Sequence, residues 1–485
     1  MTVAGPINSV VVVGGGITAW SAAAALRRHI PSLNVTVVSC PVPDDAIADR
    51  MTCTLPSISG FHEDLGLTEA DTVVGAQSGL RIGTIYEGWA GGLPSYVHAY
   101  GSYGGAVEGI PFHQLWLRAG AAETVSRFDQ FSIAAELGRI GRIGSAAPAD
   151  ASIGYGLHLT LDRYAALMRD FALHLGVTER SSCSVNAKVR GEDGFIELLT
   201  MDNGAEACGD LFVDCTGPGA SIRSALDDGF EEWSRWLQCD RVVISKDERG
   251  KGAAILDRAS ATPTGWRWEA SSTSSSSLGQ VYSSLHMREE SQEEEGDVSI
   301  RQGCRTEPWL RNCVAIGDAA VAVEPLEWAN LHLAHSQIDR LISMMPGRDC
   351  APVELSEYNR QCLDEARRVR DFVCMHYITA RRDEPFWKDV ASIEPPPSLA
   401  HTLALFAERG RLPYYEEETF SRDSWAAVLL GQGFEPRQAD PLAEMLSLDQ
   451  VRSELGRHAD FIRDFVREQP TYLDYMTNLS GRSLQ

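Results

Sequence analysis

The hydrophobic and polar positions of the first fifty residues predict a strand, a helix and a second strand. Val10–Val13 form an apolar run within the predicted strand Ser9–Val13, the apolar residues of Ala19–Ile30 have helical spacing, and Asn34–Val38 predicts another buried strand. A glycine-rich turn joins the first strand to the helix. This order is typical of a parallel sheet in an α/β protein.

Further apolar segments extend the same pattern along the chain. We predict a helix at Asp162–Leu175, strands at Asp210–Cys215 and Asn312–Ile316, a helix at Leu331–Met344, and mainly helices from Pro352 onward. The pattern therefore divides the chain into a discontinuous α/β module over residues 1–345 and a mainly helical region over residues 346–485.

Charge and composition exclude several classes of partner. The chain of 485 residues carries 43 Lys and Arg against 67 Asp and Glu, a net charge of −24. Such an acidic protein is unsuited to nucleic acid or to anionic membranes, and no apolar run approaches the ~20 residues of a membrane span. The 11 cysteines are scattered without a CxxC pair, so we expect no metal site, no disulfide framework and a cytoplasmic location.

The turn after the first strand predicts a dinucleotide site. It has the form GxGxxG with alanine at the last position, and it lies between a strand and a helix, where glycines let the backbone approach a diphosphate. The residues predicted to contact the cofactor are Gly14, Gly16, Thr18 and Ala19. The second strand lacks the expected ribose-binding acid; Ser39 and Cys40 follow it, so we expect Ser39 to give one uncharged hydrogen bond and a looser grip on adenosine.

A second cofactor contact is predicted at Gly317-Asp318, which follows another strand. An aspartate there suits the ribityl hydroxyls of a flavin, although a strand followed by Gly-Asp is also a common helix cap. Together with the glycine turn, this position favours FAD in a discontinuous domain over NAD in a compact one.

Several stretches resemble the flavin-dependent tryptophan halogenase family. They are FVDCTG at Phe212–Gly217, GQVYSS at Gly279–Ser284, NCVAIGDAAVAVEPLEWANLHLAHSQID at Asn312–Asp339, RDFVCMHYITARRDEPFW at Arg370–Trp387 and SWAAVLLGQG at Ser424–Gly433. They occur in family order along the chain.

The resemblance implies an FAD-binding, Rossmann-like fold of the flavin monooxygenase type, with an interleaved substrate-side sheet and a helical region that covers the substrate. It also implies the family's chemistry. A separate flavin reductase supplies reduced FAD, oxygen and halide give hypohalous acid, and a lysine beside the aromatic substrate receives that acid. The resemblance further implies a role in secondary metabolism, and it leaves open a carrier- or peptide-tethered substrate and a homodimer.

Two predicted catalytic positions follow from the resemblance. The family glutamate of a Pro-Leu-Glu segment corresponds to Glu327, and Pro325 of the same segment is a predicted cofactor contact. Trp328 and Ala329 replace the Ser-Thr that usually follows. The family lysine corresponds to Arg81, and no lysine precedes Lys188 in the chain. Arginine stays protonated and is a poor substitute for an amine with a tunable pKa. The alternatives are a buried or capping carboxylate for Glu327 and a structural ion pair for Arg81.

Four aromatic residues are candidates for the substrate pocket. Trp266 and Trp268 correspond to the family's Trp-x-Trp-x-Ile-Pro segment, whose Ile-Pro is missing here. His98 and Tyr100 correspond to a family segment that lines the substrate pocket. Ordinary sheet packing is the alternative for the tryptophans, and a structural role is the alternative for His98.

These departures leave three hypotheses for the function. The first is an FAD-dependent monooxygenase or oxidoreductase that acts on an aromatic, indole-like substrate with reduced flavin and O₂ and is not a standard halogenase. The second is a halogenase with an altered site that uses Arg81 and Glu327. The third is a non-catalytic, halogenase-like binding protein, which the absence of a ribose-binding acid favours.

Overall fold

A computed structural model describes residues 5–120, 126–144, 152–247, 253–272, 276–287 and 296–482. The chain forms two compact units. The first comprises Met1–Gln77, Leu159–Arg235 and Val298–Arg367, and the second comprises Ser78–His158, Trp236–Asp297 and Arg368–Gln485.

Within the described residues, helices and strands alternate in the first two thirds of the chain and helices dominate the rest. The helices are α1 Ile17–His29, α2 Ile47–Arg50, α3 Ile58–Leu65, α4 Phe112–Gly120, α5 Ile133–Arg139, α6 Leu161–His174, α7 Asn330–Ser343, α8 Pro352–Ile378, α9 Pro385–Ser392, α10 Pro397–Arg409, α11 Arg422–Gly431, α12 Pro441–Glu444, α13 Leu448–Glu468 and α14 Tyr472–Arg482. The strands are β1 Ser9–Val13, β2 Asn34–Ser39, β3 Gly79–Arg81, β4 Gly83–Glu87, β5 Tyr96–Ala99, β6 Gly156–His158, β7 Thr178–Ser181, β8 Val185–Val189, β9 Ile196–Met201, β10 Glu206–Ala207, β11 Leu211–Asp214, β12 Phe230–Glu232, β13 Arg241–Asp247, β14 Leu256–Thr262, β15 Gly265–Ser271, β16 Ser276–Tyr282, β17 Asp297–Ser299, β18 Gly303–Arg305, β19 Trp309–Leu310, β20 Cys313–Ala315 and β21 Val321–Ala322.

The first unit is built on a sheet whose strand order is β19-β20-β11-β1-β2-β7. All its neighbouring strands are parallel except the pair β19 and β20. The central strand β1 is apolar because both of its faces are covered, and Val12 and Val13 are completely buried. The carboxyl end of β1 leads into the glycine turn. Doubly wound sheets bind their ligands at the loops that follow the carboxyl ends of the parallel strands.

Two smaller three-stranded sheets complete the first unit. Their strand orders are β10-β9-β8 and β12-β18-β21. The first of them packs through Ile196, Leu199 and Met201 into an apolar cluster that also contains Phe212 of the main sheet. The unit therefore has a continuous core behind the loops at the carboxyl ends of its parallel strands.

The second unit contains a sheet with the order β17-β13-β16-β15-β14-β4-β5, together with the pair β3 and β6. Most neighbouring strands run antiparallel, and β14 pairs with β4 in parallel. The helices of this unit that follow Ile378 are rich in buried aromatic side chains, including Phe406, Phe420 and Trp425.

The predicted elements are confirmed with small shifts in their ends, as in β1, α1, β2, α6, β11, β20 and α7. The helical region that we expected from Pro352 is also confirmed. The compact units, however, do not divide the chain at residues 345 and 346. The seven-stranded sheet belongs to the same unit as the C-terminal helices, and the last boundary falls within α8, between Arg367 and Arg368. The sequence pattern reveals elements but not which of them pack together.

None of the helices in the described part of the chain combines the length and apolar character that crossing a membrane requires.

Candidate functional site

The glycine turn of the first unit has a backbone that only glycine accommodates. Gly14 has a φ of 142°, and a Cβ atom there would lie 2.5 Å from the carbonyl oxygen of Cys215. Its N–H donates to the carbonyl of Val38 at 3.1 Å. Ala19, in the first turn of α1, is completely buried. The turn is thus fixed between three neighbouring strands and directs the start of α1 towards the loops at their carboxyl ends.

The carboxylate of Asp49 lies at the start of α1. The backbone N–H of Thr18 donates to Asp49 Oδ1 at 2.7 Å, and both carboxylate oxygens lie 2.5 Å from the position of a Cβ atom on Gly16. Burial raises the pKa of Asp49 above its ordinary value, while the hydrogen bond from Thr18 opposes that rise. Asp49 was not predicted as a site residue, because nothing in the sequence places its short helix α2 against the glycine turn.

Asp318 lies in the turn Gly317–Ala319 after β20, next to the glycine loop. A Cβ atom on Gly317, whose φ is 67°, would lie 2.8 Å from Thr18 Cγ2. The N–H of Ala48 donates to Asp318 Oδ2 at 2.7 Å, whereas Asp318 Oδ1 is buried without a hydrogen-bond partner among the described residues. Burial and the nearby Asp49 raise the pKa of Asp318 well above its ordinary value.

These residues fit the diphosphate and ribityl parts of a flavin nucleotide. An unpartnered buried acceptor such as Asp318 Oδ1 needs a donor, and a ribityl hydroxyl is a donor. Ser39 ends β2 beside the turn, with its Oγ 3.2 Å from the position of a Cβ atom on Gly15. The structure thus brings together the residues predicted to bind the cofactor in the first unit, although their roles remain predictions.

Glu327 lies in a strained turn of the same unit. In the segment Leu326–Trp328, Glu327 has a φ of 71° and Trp328 a φ of 61°, which non-glycine residues rarely adopt. The N–H of Trp328 donates to the carbonyl of Pro325 at 3.0 Å, and the Glu327 side chain is buried. Strain of this kind costs of the order of 1–3 kcal/mol and is typical of functional sites.

Arg81 is completely buried in the second unit and forms an ion pair. Arg81 Nε donates to Asp257 Oδ2 at 2.5 Å, and neither side chain is exposed to solvent. Asp257 Oδ1 also lies 2.5 Å from His158 Nε2. Burial by itself would raise the pKa of Asp257, but Arg81 and His158 hold it below its ordinary value.

The two terminal nitrogens of Arg81 also donate hydrogen bonds. Nη1 donates to the hydroxyl of Tyr100 at 2.5 Å and Nη2 donates to Thr84 Oγ1 at 3.1 Å. Strands β3, β6 and β14 supply Arg81, His158 and Asp257, respectively. The structural ion pair that was the alternative for Arg81 is therefore present, and a catalytic role for Arg81 remains a prediction.

His98 and Tyr100 lie near a cavity of the second unit. His98 packs against Tyr100, Phe372 and Phe420, with ring centroids 6.0, 5.6 and 6.4 Å away. Phe420 lines a cavity of about 440 Å³ formed by residues of α8, α10 and the segment 412–425. This volume suits an aromatic small molecule.

The cavity has a charged and aromatic floor. The Arg368 guanidinium lies over the Tyr415 ring at 3.9 Å and over the Trp425 ring at 4.6 Å. Glu418 accepts from Arg368 Nη2 at 2.8 Å and from the indole N–H of Trp425 at 3.2 Å. These lining residues were not among the site residues predicted from the sequence. The resemblance of Ser424–Gly433 to the family was the available signal, but it gave no residue roles.

Trp266 and Trp268 are buried in strand β15, with ring centroids 5.8 Å apart. The indole N–H of Trp268 donates to Ser277 Oγ at 3.2 Å, and its ring covers Gly279 of the next strand. Sheet packing therefore accounts for both tryptophans, and their place in a substrate pocket stays a prediction.

The sequence comparison decides the family. A family model described as tryptophan halogenase matches residues 9–447. The chain belongs to the tryptophan halogenase family.

Relatives and solved structures agree with this assignment. BrvH, a flavin-dependent halogenase from Brevundimonas sp. BAL3, is 32% identical and has a TM-score of 0.90 over 98% of this chain and 99% of that chain. A flavin-dependent halogenase from Xanthomonas campestris is 30% identical, with a TM-score of 0.91 over 98% of each chain. Tryptophan 7-halogenase RebH of Lentzea aerocolonigenes is 25% identical over 99% of this chain and 100% of its own length. These matches confirm the α/β fold with a helical C-terminal region.

Proposed function

We propose that this chain is an FAD-dependent enzyme that oxygenates an electron-rich, indole-like aromatic substrate and is not a standard halogenase. The family uses reduced FAD and O₂ on aromatic substrates, which supports the first part of the proposal. The burial of Arg81 in an ion pair supports the second part.

FAD is held in this proposal by the glycine turn, with Asp318 on the ribityl chain and Ser39 near the adenosine. FAD, when bound and reduced, supplies the electrons that activate O₂. The sequence has one glycine-rich phosphate loop after a strand, so we infer that a separate flavin reductase provides the reduced cofactor. The residues of this chain orient the flavin and keep the charge of its phosphates at the start of α1.

The observation that carries the distinction from a halogenase is the hydrogen bonding of all three side-chain nitrogens of Arg81. The lysine at the family position receives hypohalous acid, which requires an amine that can lose a proton or form a haloamine. The Arg81 guanidinium stays protonated, and its Nε, Nη1 and Nη2 atoms all have partners within the described residues. Arg81 therefore fixes β3, Tyr100 and β14 and does not deliver an oxidant.

The substrate is proposed to bind in the cavity beside Phe420. An electron-rich ring gains from contact with the Arg368 guanidinium, which already lies against two aromatic rings. Phe420 and Trp425 supply apolar contact area, and Glu418 keeps Arg368 in place. A carrier- or peptide-tethered substrate is compatible with this cavity, whose lining includes the exposed Tyr414.

The proposed role of Glu327 is electrostatic. Its side chain is buried and belongs to a turn in which Glu327 and Trp328 both have positive φ angles. Fixed negative charge in such a place stabilises positive charge that develops during attack on an aromatic ring.

A halogenase with an altered site is the second candidate. The identity of 32% to BrvH over nearly the whole of both chains favours it, because that protein is a flavin-dependent halogenase. In this case Glu327 retains the family role, and the oxidant reaches the substrate without a lysine.

The proposal is tested with purified protein, FAD, NADH, a flavin reductase and a panel of indoles. We expect substrate consumption that requires the reductase and O₂, and that stops when Leu412→Trp fills the cavity. Consumption at the same rate without this protein, or an unchanged rate with Leu412→Trp, would contradict the proposed site. Omitting the reductase tests whether a partner enzyme is needed.

A further inference from the structure

A carboxylate of the chain itself, that of Asp49, occupies the start of α1. The first N–H groups of a helix have no partner within the helix, and in dinucleotide folds they bind the cofactor diphosphate. In this chain the N–H of Thr18 donates to the Asp49 carboxylate at 2.7 Å. The same carboxylate fills the space beside Gly16 that the missing side chain leaves open, with both oxygens 2.5 Å from the Cβ position.

We propose that Asp49 is a built-in competitor for the flavin diphosphate and lowers the affinity of the chain for FAD. This inference rests on the proposed FAD-dependent function. A carboxylate and a phosphate need the same N–H donors, and two anions a few ångströms apart repel each other. FAD therefore binds only when the Asp49 side chain leaves the start of α1.

The surroundings of Asp49 allow this movement. Asp49 is partly buried, and its helix α2 has only four residues. That helix is held at Ala48, whose N–H donates to Asp318, and by Arg50, which contacts the carbonyls of Pro43 and Val42. These contacts do not involve the Asp49 carboxylate, so its side chain can rotate while α2 stays in place.

The charged neighbours of Asp49 give the competition a direction with pH. Arg50 adds positive charge near Asp49 and favours its ionised form. Asp318 is close enough to Asp49 that a charge on one disfavours a charge on the other. The thiol of Cys215 is neutral because burial raises its pKa well above its ordinary value. Protonation of Asp49 removes its repulsion of the diphosphate, which stays ionised throughout this range. The affinity for FAD should therefore rise as the pH falls through the raised pKa of Asp49.

The test is an equilibrium titration of the flavin-free full-length chain with FAD, followed by flavin fluorescence or calorimetry. We expect Asp49→Asn to bind FAD about tenfold more tightly than wild type at pH 8 and to show a gain that shrinks as the pH is lowered and Asp49 becomes protonated. The matched control is Asp44→Asn, since Asp44 is an exposed acid of the same segment that pairs with Arg50. This control should change the affinity less than twofold.

Riboflavin, which lacks the phosphates, serves as a second probe. Its affinity should be the same in wild type and Asp49→Asn, and thermal unfolding should show that both proteins are folded. An equal FAD affinity in wild type and Asp49→Asn would overturn the inference and make Asp49 a simple helix cap. Weaker binding by Asp49→Asn would also overturn it. Failure of both proteins to bind FAD at any concentration would overturn the proposed function itself.

Discussion

Arg81 Nε donates to Asp257 Oδ2 at 2.5 Å, and both side chains are completely shielded from solvent. The position that the resemblance aligns with the family lysine therefore holds a fixed cation, whose charge is balanced by an aspartate on strand β14 of the seven-stranded sheet. A buried cation without a partner is very unfavourable. An arginine is tolerated at this position because Asp257 pairs with it and His158 in turn contacts Asp257.

Removing the Asp257 charge should strongly destabilise the protein. We expect Asp257→Asn to lower the free energy of unfolding by about 3–5 kcal/mol, because it leaves the Arg81 guanidinium buried without an anion. Urea denaturation followed by circular dichroism measures the change. The double variant Arg81→Met with Asp257→Leu, which removes both charges, should lose less than the sum of the single changes. Strict additivity would show that the two residues do not interact.

Glu327 and Glu324 provide a matched pair of buried carboxylates in one segment. Gln302 Nε2 donates a hydrogen bond to the Glu324 carboxylate at 3.1 Å. The backbone N–H of Glu324 donates in return to the side-chain oxygen of Gln302 at 2.9 Å. We expect Glu327→Gln to lower kcat by about 10²–10³, the usual effect of removing a positioned electrostatic group. Glu324→Gln should leave kcat within a few fold. Steady-state assays with reduced FAD measure both, and equal losses would remove the catalytic role of Glu327.

Asp318 should make the stability of the flavin-free protein depend on pH. Its pKa in the folded state is raised above the value in the unfolded chain. The contribution of Asp318 to the free energy of unfolding is therefore complete below the unfolded pKa and is lost as the pH rises through the folded pKa. Asp318→Asn removes that loss and keeps an acceptor for Ala48. We expect the variant to have a higher Tm than wild type at pH 8, with a smaller difference at pH 6. A difference that grows towards pH 6 would contradict the burial of this charge.

The cavity beside Phe420 should control substrate binding. Leu412 lines it and is only partly buried, so Leu412→Trp fills space with little effect on folding. We expect at least a tenfold rise in the Kd for indole in Leu412→Trp. The control is Leu442→Trp, at an exposed leucine that does not line the cavity. Equilibrium dialysis measures both, and equal affinities would place the substrate elsewhere.

The sequence predicted the parts of the fold that depend on local pattern. The apolar strand β1, the glycine turn and helix α1 follow from a strand signal and a backbone requirement that only glycine meets at Gly14. The family resemblance located Glu327 and Arg81. Of the predicted pocket residues, His98 of strand β5 packs against Phe420 of the cavity lining, and Tyr100, just after that strand, packs against His98.

The interactions that the sequence did not predict are contacts between distant segments. Asp257 is 176 residues from Arg81, and Asp49 lies in a short helix whose position depends on Asp318. Nothing in the local pattern distinguishes these aspartates from exposed ones. Arg368 and Glu418 are likewise 50 residues apart, and only their packing with Trp425 makes them part of a cavity floor.

The most direct test of the central claim is mass spectrometry of the product formed from indole. The reaction contains reduced FAD from a flavin reductase, isotopically heavy O₂ and excess bromide. We predict a product that carries one heavy oxygen atom and no bromine, both in wild type and in Arg81→Lys. A brominated indole formed by wild type and lost in Glu327→Gln would contradict this account and establish the chain as a halogenase that works without the family lysine.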